Sequence, residues 1–124
     1  MNRTEILSAL SQLEFDKSEY WVITGGAMVL YGLRDKTHDI DLGCTAKLAD
    51  ALEAAGCPVK RRADGSRHIT YSEDVELLEN WLFDKVEMME GFPVISMQGL
   101  LEMKKSLGRE KDLRDVALIE AAMK

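Results

Sequence analysis

The sequence from Ile23 to Leu42 reads ITGGAMVLYGLRDKTHDIDL. A glycine pair, Gly25 and Gly26, follows a short apolar run, and further on Asp39 and Asp41 flank a single isoleucine. If residues 37–43 are extended, side chains alternate across the sheet, so both carboxylates face one side while Ile40 faces the core. The stretch therefore predicts a strand, a glycine turn, a short helix and a second strand that carries two acids.

The two features fit one ligand. Like charges a few ångströms apart repel each other, so such a pair persists most easily around a cation, and hard carboxylate oxygens suit Mg²⁺. Backbone N–H groups at a glycine turn that enters a helix can approach an anion closely, because no Cβ intervenes. Together they predict a site for a metal-bound polyphosphate, with Thr37 beside the acid pair.

Composition limits the class of protein. With 124 residues, of which 46% are hydrophobic, we expect one domain over residues 1–124 with a single core. The net charge of −6 argues against a sequence-independent grip on nucleic acid, which needs a basic surface. Cys44 and Cys57 lack zinc-site spacing and disulfide density, and no apolar run is long enough to span a bilayer. We therefore expect a soluble cytoplasmic protein with reduced thiols and no membrane partner.

Periodicity and turn residues give the elements. We predict helices over residues 4–13 (N-capped by Thr4), 27–31, 47–55, 97–107 (N-capped by Ser96) and 111–123. We predict strands over residues 20–24, 38–44, 59–62, 67–71 and 75–78, and a short apolar run over 92–96. Residues 81–90 are ambiguous, since Leu82, Val86 and Met89 permit a helix. The predicted fold class is α/β (α+β), a short mixed sheet flanked by helices.

Two segments resemble a known family. Gly25-Gly26 followed by GLRDKTHDIDL (residues 32–42) resembles the nucleotidyltransferase superfamily with the DNA-polymerase-β-like core. It looks closest to small bacterial branches that include abortive-infection toxin enzymes and lincosamide-type antibiotic nucleotidyltransferases. Downstream, FPVISMQGLLEMK (92–104) and GREKDLRD (108–115) are similar to the segment in which those enzymes carry a helical lysine and then an Arg-x-Lys-Asp-x-x-Asp run.

The resemblance implies roles for named residues. Asp39 and Asp41 would hold Mg²⁺, and a third carboxylate on a later strand would complete the metal site or accept a proton. Glu76 is the candidate, although the family usually has Asp there; Glu73, Asp74 and Glu79 compete for the role. Gly25, Gly26, Thr37 and Lys104 would bind the nucleotide, and Arg34 and Lys36 would steer phosphates.

Other polar residues have a plainer interpretation. His38 and His68 lack a nucleophilic partner or cysteine pairs, so surface or satisfied core positions are expected. We expect Asp112 and Asp115 to be structural, with Asp112 also able to cap the last helix.

The predicted function is transfer of a nucleoside monophosphate from a nucleoside triphosphate to a hydroxyl acceptor, which makes the protein a magnesium-dependent enzyme. The acceptor, whether a small molecule such as an antibiotic, an RNA or a protein, is not encoded in a readable motif. The alternative is a binding or regulatory module without turnover, such as one partner of a toxin–antitoxin pair. A homodimer that builds the acceptor cleft between subunits is a third possibility.

Overall fold

The computed structural model describes residues 1–81 and 86–124, and these ranges contain five helices and seven strands. The helices are α1 (Arg3–Ser11), α2 (Thr24–Leu30), α3 (Ala46–Ala54), α4 (Met97–Leu107) and α5 (Glu110–Ala122). The strands are β1 (Tyr20–Ile23), β2 (Ile40–Cys44), β3 (Val59–Arg61), β4 (Arg67–Thr70), β5 (Val75–Glu79), β6 (Val86–Met89) and β7 (Phe92–Ile95). The predicted α/β class is confirmed.

All seven described strands join one mixed sheet in the order β3-β4-β5-β2-β1-β7-β6. The central strand β2 pairs antiparallel with β1 and parallel with β5. On the outer sides, β3, β4 and β5 form an antiparallel meander, while β7 runs parallel to β1 and antiparallel to β6. Asp39 and Asp41 therefore lie near the middle of the sheet, where β2 pairs with β5.

The core forms where helices cover the sheet. Helix α3 packs on β4 and β5, helix α2 packs on β1 and β2, and both α1 and α4 pack on α2. Val22, Leu42, Ile69 and Leu77, one from each of the four central strands, are fully buried beneath them. Ile40 is also fully buried, as the alternation of side chains in β2 predicts.

Several element boundaries differ from the predicted ones. Helix α1 is capped by Asn2, whose side chain accepts a hydrogen bond from the Glu5 N–H while the Glu5 side chain accepts one from the Asn2 N–H. Thr4 therefore lies inside the helix, because this reciprocal capping box satisfies two free N–H groups and outcompetes a single hydroxyl. Ser96 caps α4 as predicted, accepting a hydrogen bond from the Gly99 N–H, and Gly108 ends that helix with φ +62°.

The glycine pair does not form a turn between a strand and a helix. Helix α2 already begins at Thr24, so Gly25 and Gly26 lie in its first turn and are buried. Strand β2 begins at Ile40 rather than His38, which leaves Asp39 immediately before the strand.

The ambiguous region 81–90 contains a strand where a helix was an option. Residues Val86–Met89 pair antiparallel with β7. An apolar residue every three or four positions is compatible with a helix. The segment forms a strand because β7 offers backbone hydrogen-bond partners at the edge of the sheet, which local sequence does not reveal. Leu82, which contributed to the helical pattern, lies outside the described residues.

Two further features concern the cysteines and the helices of the described residues. Cys44 and Cys57 are free thiols, and burial raises the pKa of Cys44 to about 12. None of the described helices is both long and apolar enough to cross a membrane.

Candidate active site

Three carboxylates converge at the start of the two central parallel strands. Asp39 immediately precedes β2, Asp41 is the second residue of β2, and Glu76 is the second residue of β5. The register pairs Asp41 directly with Glu76, so their side chains leave the same face of the sheet. One oxygen from each of the three residues lies within 4.8 Å of the other two, and all three are half-buried. We call these residues the acidic triad.

The other candidates for the third carboxylate lie elsewhere. Glu79 is three residues beyond Glu76 on β5, on the opposite face, where it accepts hydrogen bonds from Arg67 at 2.6 and 3.1 Å. Glu73 and Asp74 are exposed in the turn before β5. Of the four acids, the structure brings Glu76 to the aspartate pair.

Asp41 has a hydroxyl partner that sequence reasoning missed. The Thr24 hydroxyl donates a hydrogen bond of 2.8 Å to Asp41 Oδ2. Thr24 has φ +52°, an unfavourable value for a β-branched residue, and strained backbone of this kind is enriched at functional sites. Its position directly before Gly25-Gly26 was the one sequence signal that could have pointed to it.

Burial raises the pKa of Asp41, and the neighbouring Asp39 and Glu76 carboxylates raise it further. The hydrogen bond from Thr24 and the nearby His68 act in the opposite direction. The net rise reflects burial first and the negative neighbours second, since both disfavour ionisation of the carboxyl group. A divalent cation bound at this position would instead lower the pKa of Asp41, because it favours the ionised carboxylate.

Glu76 has a histidine partner that was interpreted as an ordinary surface or core residue. His68 Nε2 lies 3.0 Å from Glu76 Oε2, and both side chains are about one third exposed, at 35% and 36%. The contact crosses from β4 to β5, which are antiparallel neighbours. His38, by contrast, is exposed next to Asp39.

Both glycines lie at close packing contacts, and the contact at Gly25 is the closer of the two. A Cβ on Gly25 would lie 2.5 Å from Thr37 Oγ1, and a Cβ on Gly26 would lie 3.1 Å from Val22 Cγ1. Gly25 thus lets the segment that carries Thr37 lie directly on the first turn of α2. This packing reason differs from the predicted one, an open approach for an anion, and the nucleotide-binding role of Gly25, Gly26 and Thr37 stays a prediction.

A cleft of about 500 Å³ lies next to this glycine contact. It is lined by Met1, Arg34, Lys36, Thr37 and His38, so its polar groups are mainly basic. The chain holds Thr37 in place through its N–H, which donates 2.9 Å to the Met1 carbonyl. Because His38 precedes Asp39, this basic cleft and the acidic triad are consecutive along the chain.

Lys104 lies inside the protein rather than on a surface. Its side chain is 6% exposed, and Nζ lies 3.0 Å from Asp115 Oδ2 and 3.4 Å from Asp112 Oδ1. Asp112 and Asp115 are buried as well, in line with the structural role expected for them. Asp112 does not occupy the N-cap of α5; it accepts a hydrogen bond from the N–H of Arg109, the residue that does. Contact between Lys104 and a triphosphate stays a prediction.

The donor set of the acidic triad fits a small divalent cation. All three residues offer carboxylate oxygens, the ligands that Mg²⁺ prefers, and half-burial leaves room for water and phosphate ligands that Mg²⁺ keeps. Among residues 1–81 and 86–124, no lysine or arginine side chain lies within ion-pair distance of the triad. An added cation would therefore compensate a charge that these residues leave uncompensated.

Comparisons with known proteins address the fold. The sequence matches no protein-family model, and no curated protein matches it. The crystal structure of TM1012 from Thermotoga maritima, whose assignment as a nucleotidyltransferase is provisional, superposes with a TM-score of 0.67 at 18% identity, covering 94% of this chain and 93% of that one. The structure of ANT(2″)-Ia in complex with adenylyl-2″-tobramycin gives a TM-score of 0.59 at 14% identity, covering 98% and 87%. The chain therefore has the same fold as these two structures.

Proposed function

We propose that the protein is a nucleotidyltransferase, which moves a nucleoside monophosphate from a nucleoside triphosphate to a hydroxyl group of an acceptor and releases pyrophosphate. The observation that carries the proposal is the acidic triad on this fold. Three carboxylates, two of them on neighbouring parallel strands and the third directly before one of these strands, lie within 4.8 Å of one another, and no lysine or arginine of the described residues pairs with them. Such an arrangement costs stability without a cation, so its presence favours a metal-dependent role.

Asp39, Asp41 and Glu76 would hold Mg²⁺. When bound, Mg²⁺ would neutralise charge on the phosphate oxygens and orient the attacking hydroxyl. In the transfer, the acceptor oxygen forms a bond to the α-phosphorus, the bond from that phosphorus to the pyrophosphate oxygen breaks, and the hydroxyl proton passes to a carboxylate. Glu76 is our candidate for that base, since His68 holds its Oε2 from the other side at 3.0 Å.

We place the triphosphate in the basic cleft, because the side chains that line it suit phosphate groups. Arg34 and Lys36 line it, Thr37 offers a hydroxyl, and His38, which also lines it, directly precedes Asp39 in the chain. Basic side chains attract phosphate oxygens, and an arginine can hold two of them at once. The first turn of α2, with Gly25 and Gly26, lies beneath Thr37 and completes this side of the proposed site.

An argument for the alternative, a module without turnover, is that 124 residues leave little room for an acceptor-binding part. The ANT(2″)-Ia structure is of a complex with an adenylylated aminoglycoside, and this chain covers 87% of it. In that complex, one compound joins a nucleotide part to an acceptor part. Chain length therefore gives no reason to prefer the module, and we favour the enzyme.

The test is label transfer. The protein is incubated with each α-labelled nucleoside triphosphate, Mg²⁺ and one acceptor class at a time: antibiotics with free hydroxyls, RNA, or protein. We expect label on one class, dependent on Mg²⁺ and absent with Asp41→Asn, while Asp74→Asn, which alters an exposed acid outside the triad, keeps the activity. Failure of the wild type to label any class, or transfer by Asp41→Asn at the wild-type rate, would show the proposal to be wrong.

A further inference from the structure

A chain of alternating charges leads from α5 to the basic cleft. Arg34 Nη2 donates hydrogen bonds to both carboxylate oxygens of Asp115, at 2.8 and 2.9 Å. Asp115 Oδ2 lies 3.0 Å from Lys104 Nζ, and Lys104 in turn lies 3.4 Å from Asp112 Oδ1. Asp112 also accepts hydrogen bonds from the Arg109 guanidinium. We call these five residues the ion-pair chain.

The middle of the ion-pair chain is buried and its ends are not. Lys104 and Asp115 side chains are each 6% exposed and Asp112 is fully buried, whereas Arg34 is 37% exposed. Buried charges are tolerated only when they are paired, and Lys104 pairs with each of the two aspartates. Arg34 is the end that lines the basic cleft.

We infer that Asp115 is a positioning residue, which holds the Arg34 guanidinium in place to bind a polyphosphate in the basic cleft. Lys104 contributes indirectly, because it pairs with the same Asp115 carboxylate. The inference rests on the proposed function, because it names the ligand class of the cleft in which that function places the triphosphate. It gives Lys104 an indirect role in nucleotide binding in place of direct contact. It also gives Asp115 a task beyond joining α5 to the rest of the fold.

The first reason is geometric. Arg34 Nη1 lies 3.3 Å from the position that a Cβ on Gly25 would occupy, so the guanidinium lies over the first turn of α2, next to Thr37. A free arginine loses much rotamer freedom when it binds a ligand. With Nη2 already held by Asp115, part of that loss occurs on folding and the ligand meets a preorganised donor.

The second reason is charge. If Asp115 faced Arg34 alone, the pair would be neutral and would attract phosphate weakly. Lys104 shares the Asp115 carboxylate, and the whole ion-pair chain holds three cations and two carboxylates. The positive charge of Arg34 therefore stays available to the cleft, where Lys36 adds another.

The test measures binding of inorganic tripolyphosphate in Mg²⁺ by isothermal titration calorimetry, below the unfolding transition of every variant. We expect Arg34→Gln to weaken binding about tenfold, as expected for a lost charged contact. Asp115→Asn should weaken it several-fold, and the double variant should be no weaker than Arg34→Gln alone, because Asp115 acts through Arg34. Asp115→Glu, which keeps the charge but moves the carboxylate, should fall between wild type and Asp115→Asn.

The matched control is Asp112→Asn. Asp112 is equally buried, lies on the same helix and contacts Lys104, but it does not touch Arg34. It should reduce the free energy of unfolding while leaving the dissociation constant within about twofold, since Lys104 still shares Asp115. A merely structural ion-pair chain would make the two asparagine variants alike in binding, and additive losses from Arg34→Gln and Asp115→Asn would equally overturn the inference.

The binding experiment is separable from the proposed function. Tripolyphosphate has no nucleoside to transfer, so binding that depends on Arg34 and Asp115 supports the inference even if no acceptor is ever labelled. Conversely, label transfer that is lost in Asp41→Asn supports the enzyme even if tripolyphosphate binding ignores Asp115. No measurable binding of tripolyphosphate by the wild type overturns the inference alone.

Discussion

Two clusters of three carboxylates lie on opposite faces of β5, and they differ in one respect. In the acidic triad, Glu76 meets Asp39 and Asp41 with no arginine or lysine among the described residues between them. On the other face, Glu79 meets acids from α3, and Arg67 lies among them. We call this second group, made of Arg67, Asp50, Glu53 and Glu79, the Arg67 cluster.

In the Arg67 cluster, the acids are paired with an arginine of the same chain. Arg67 lies 2.6 Å from Glu79, 2.8 Å from Asp50 and 3.0 Å from Glu53, so one guanidinium serves three carboxylates. The Arg67 hydrogen bonds hold the pKa of Glu79 below its ordinary value, while burial raises the pKa of Asp41 in the triad. The opposite signs reflect the arginine that lies in one cluster and not in the other, and this difference supports the proposal that the triad binds a cation from solution.

Removing the built-in cation should have the largest effect on stability. Arg67→Met leaves Glu79, whose side chain is 9% exposed, without its partner, and we expect a loss of about 3 kcal/mol in the free energy of unfolding at pH 7. Urea denaturation measures it. The folded pKa of Glu79 lies below the ordinary 4.5, so the Arg67–Glu79 stabilisation is present above pH 4.5 and fades as pH falls through the folded pKa.

The control for that variant is Arg61→Met. Arg61 also pairs with Glu53, at 3.2 Å, but its side chain is 61% exposed. Exposed pairs contribute little, so the loss should stay below about 0.5 kcal/mol. Equal losses from the two arginines would remove the contrast between a buried cation and a surface one.

Adding a cation should stabilise the other cluster. At a Mg²⁺ concentration ten times its dissociation constant, the free energy of unfolding of the wild type should rise by about 1.4 kcal/mol, because only the folded state holds the three acids together. Asp41→Asn should show little of this rise. Thermal unfolding with MgCl₂ against NaCl of the same ionic strength separates binding from screening. A rise of the same size in Asp41→Asn would place the ion elsewhere.

The contrast between the two clusters also bears on which site residues could be predicted from the sequence. Asp39 and Asp41 were accessible from local pattern, because alternation around Ile40 requires only that the segment be extended. Glu76 and Glu79 are harder to separate, although Glu79 shares its strand face with the apolar Val75 and Leu77. That pattern places Glu79 toward the core, where an acid needs a partner, and leaves Glu76 for the open face.

Other contacts depend on register, which local sequence does not specify. His68 reaches Glu76 only because β4 pairs with β5 in one alignment, and Asp41 faces Glu76 only because β2 and β5 are parallel neighbours. Lys104 was expected to face a ligand, but α5 returns over α4 and places two aspartates on it. Helix periodicity predicts that α4 has a buried face without revealing that a lysine on it meets acids.

The histidine on the triad should affect metal binding more than stability. His68→Leu keeps the approximate volume but loses the contact to Glu76 Oε2, and we expect Mg²⁺ affinity to fall about tenfold, as for other groups that orient a metal ligand. His68→Gln, which can still donate a hydrogen bond, should restore most of it. Calorimetric titration with MgCl₂ measures both. Equal affinity in the leucine variant and the wild type would leave His68 without a role at the triad.

Among the changes at the triad, removing one charge without metal should have the smallest effect. The folded pKa of Asp41 lies above its ordinary 3.8, so its ionisation opposes folding: the cost is absent below pH 3.8 and complete above the folded pKa. Asp41→Asn keeps an oxygen for the Thr24 hydroxyl and removes that cost. In EDTA at pH 7 it should therefore be more stable than the wild type, by less than about 1 kcal/mol given the partial exposure. The gain should vanish near pH 3, and a variant less stable than the wild type at pH 7 would mean that the triad is not under repulsion, which would remove its difference from the Arg67 cluster.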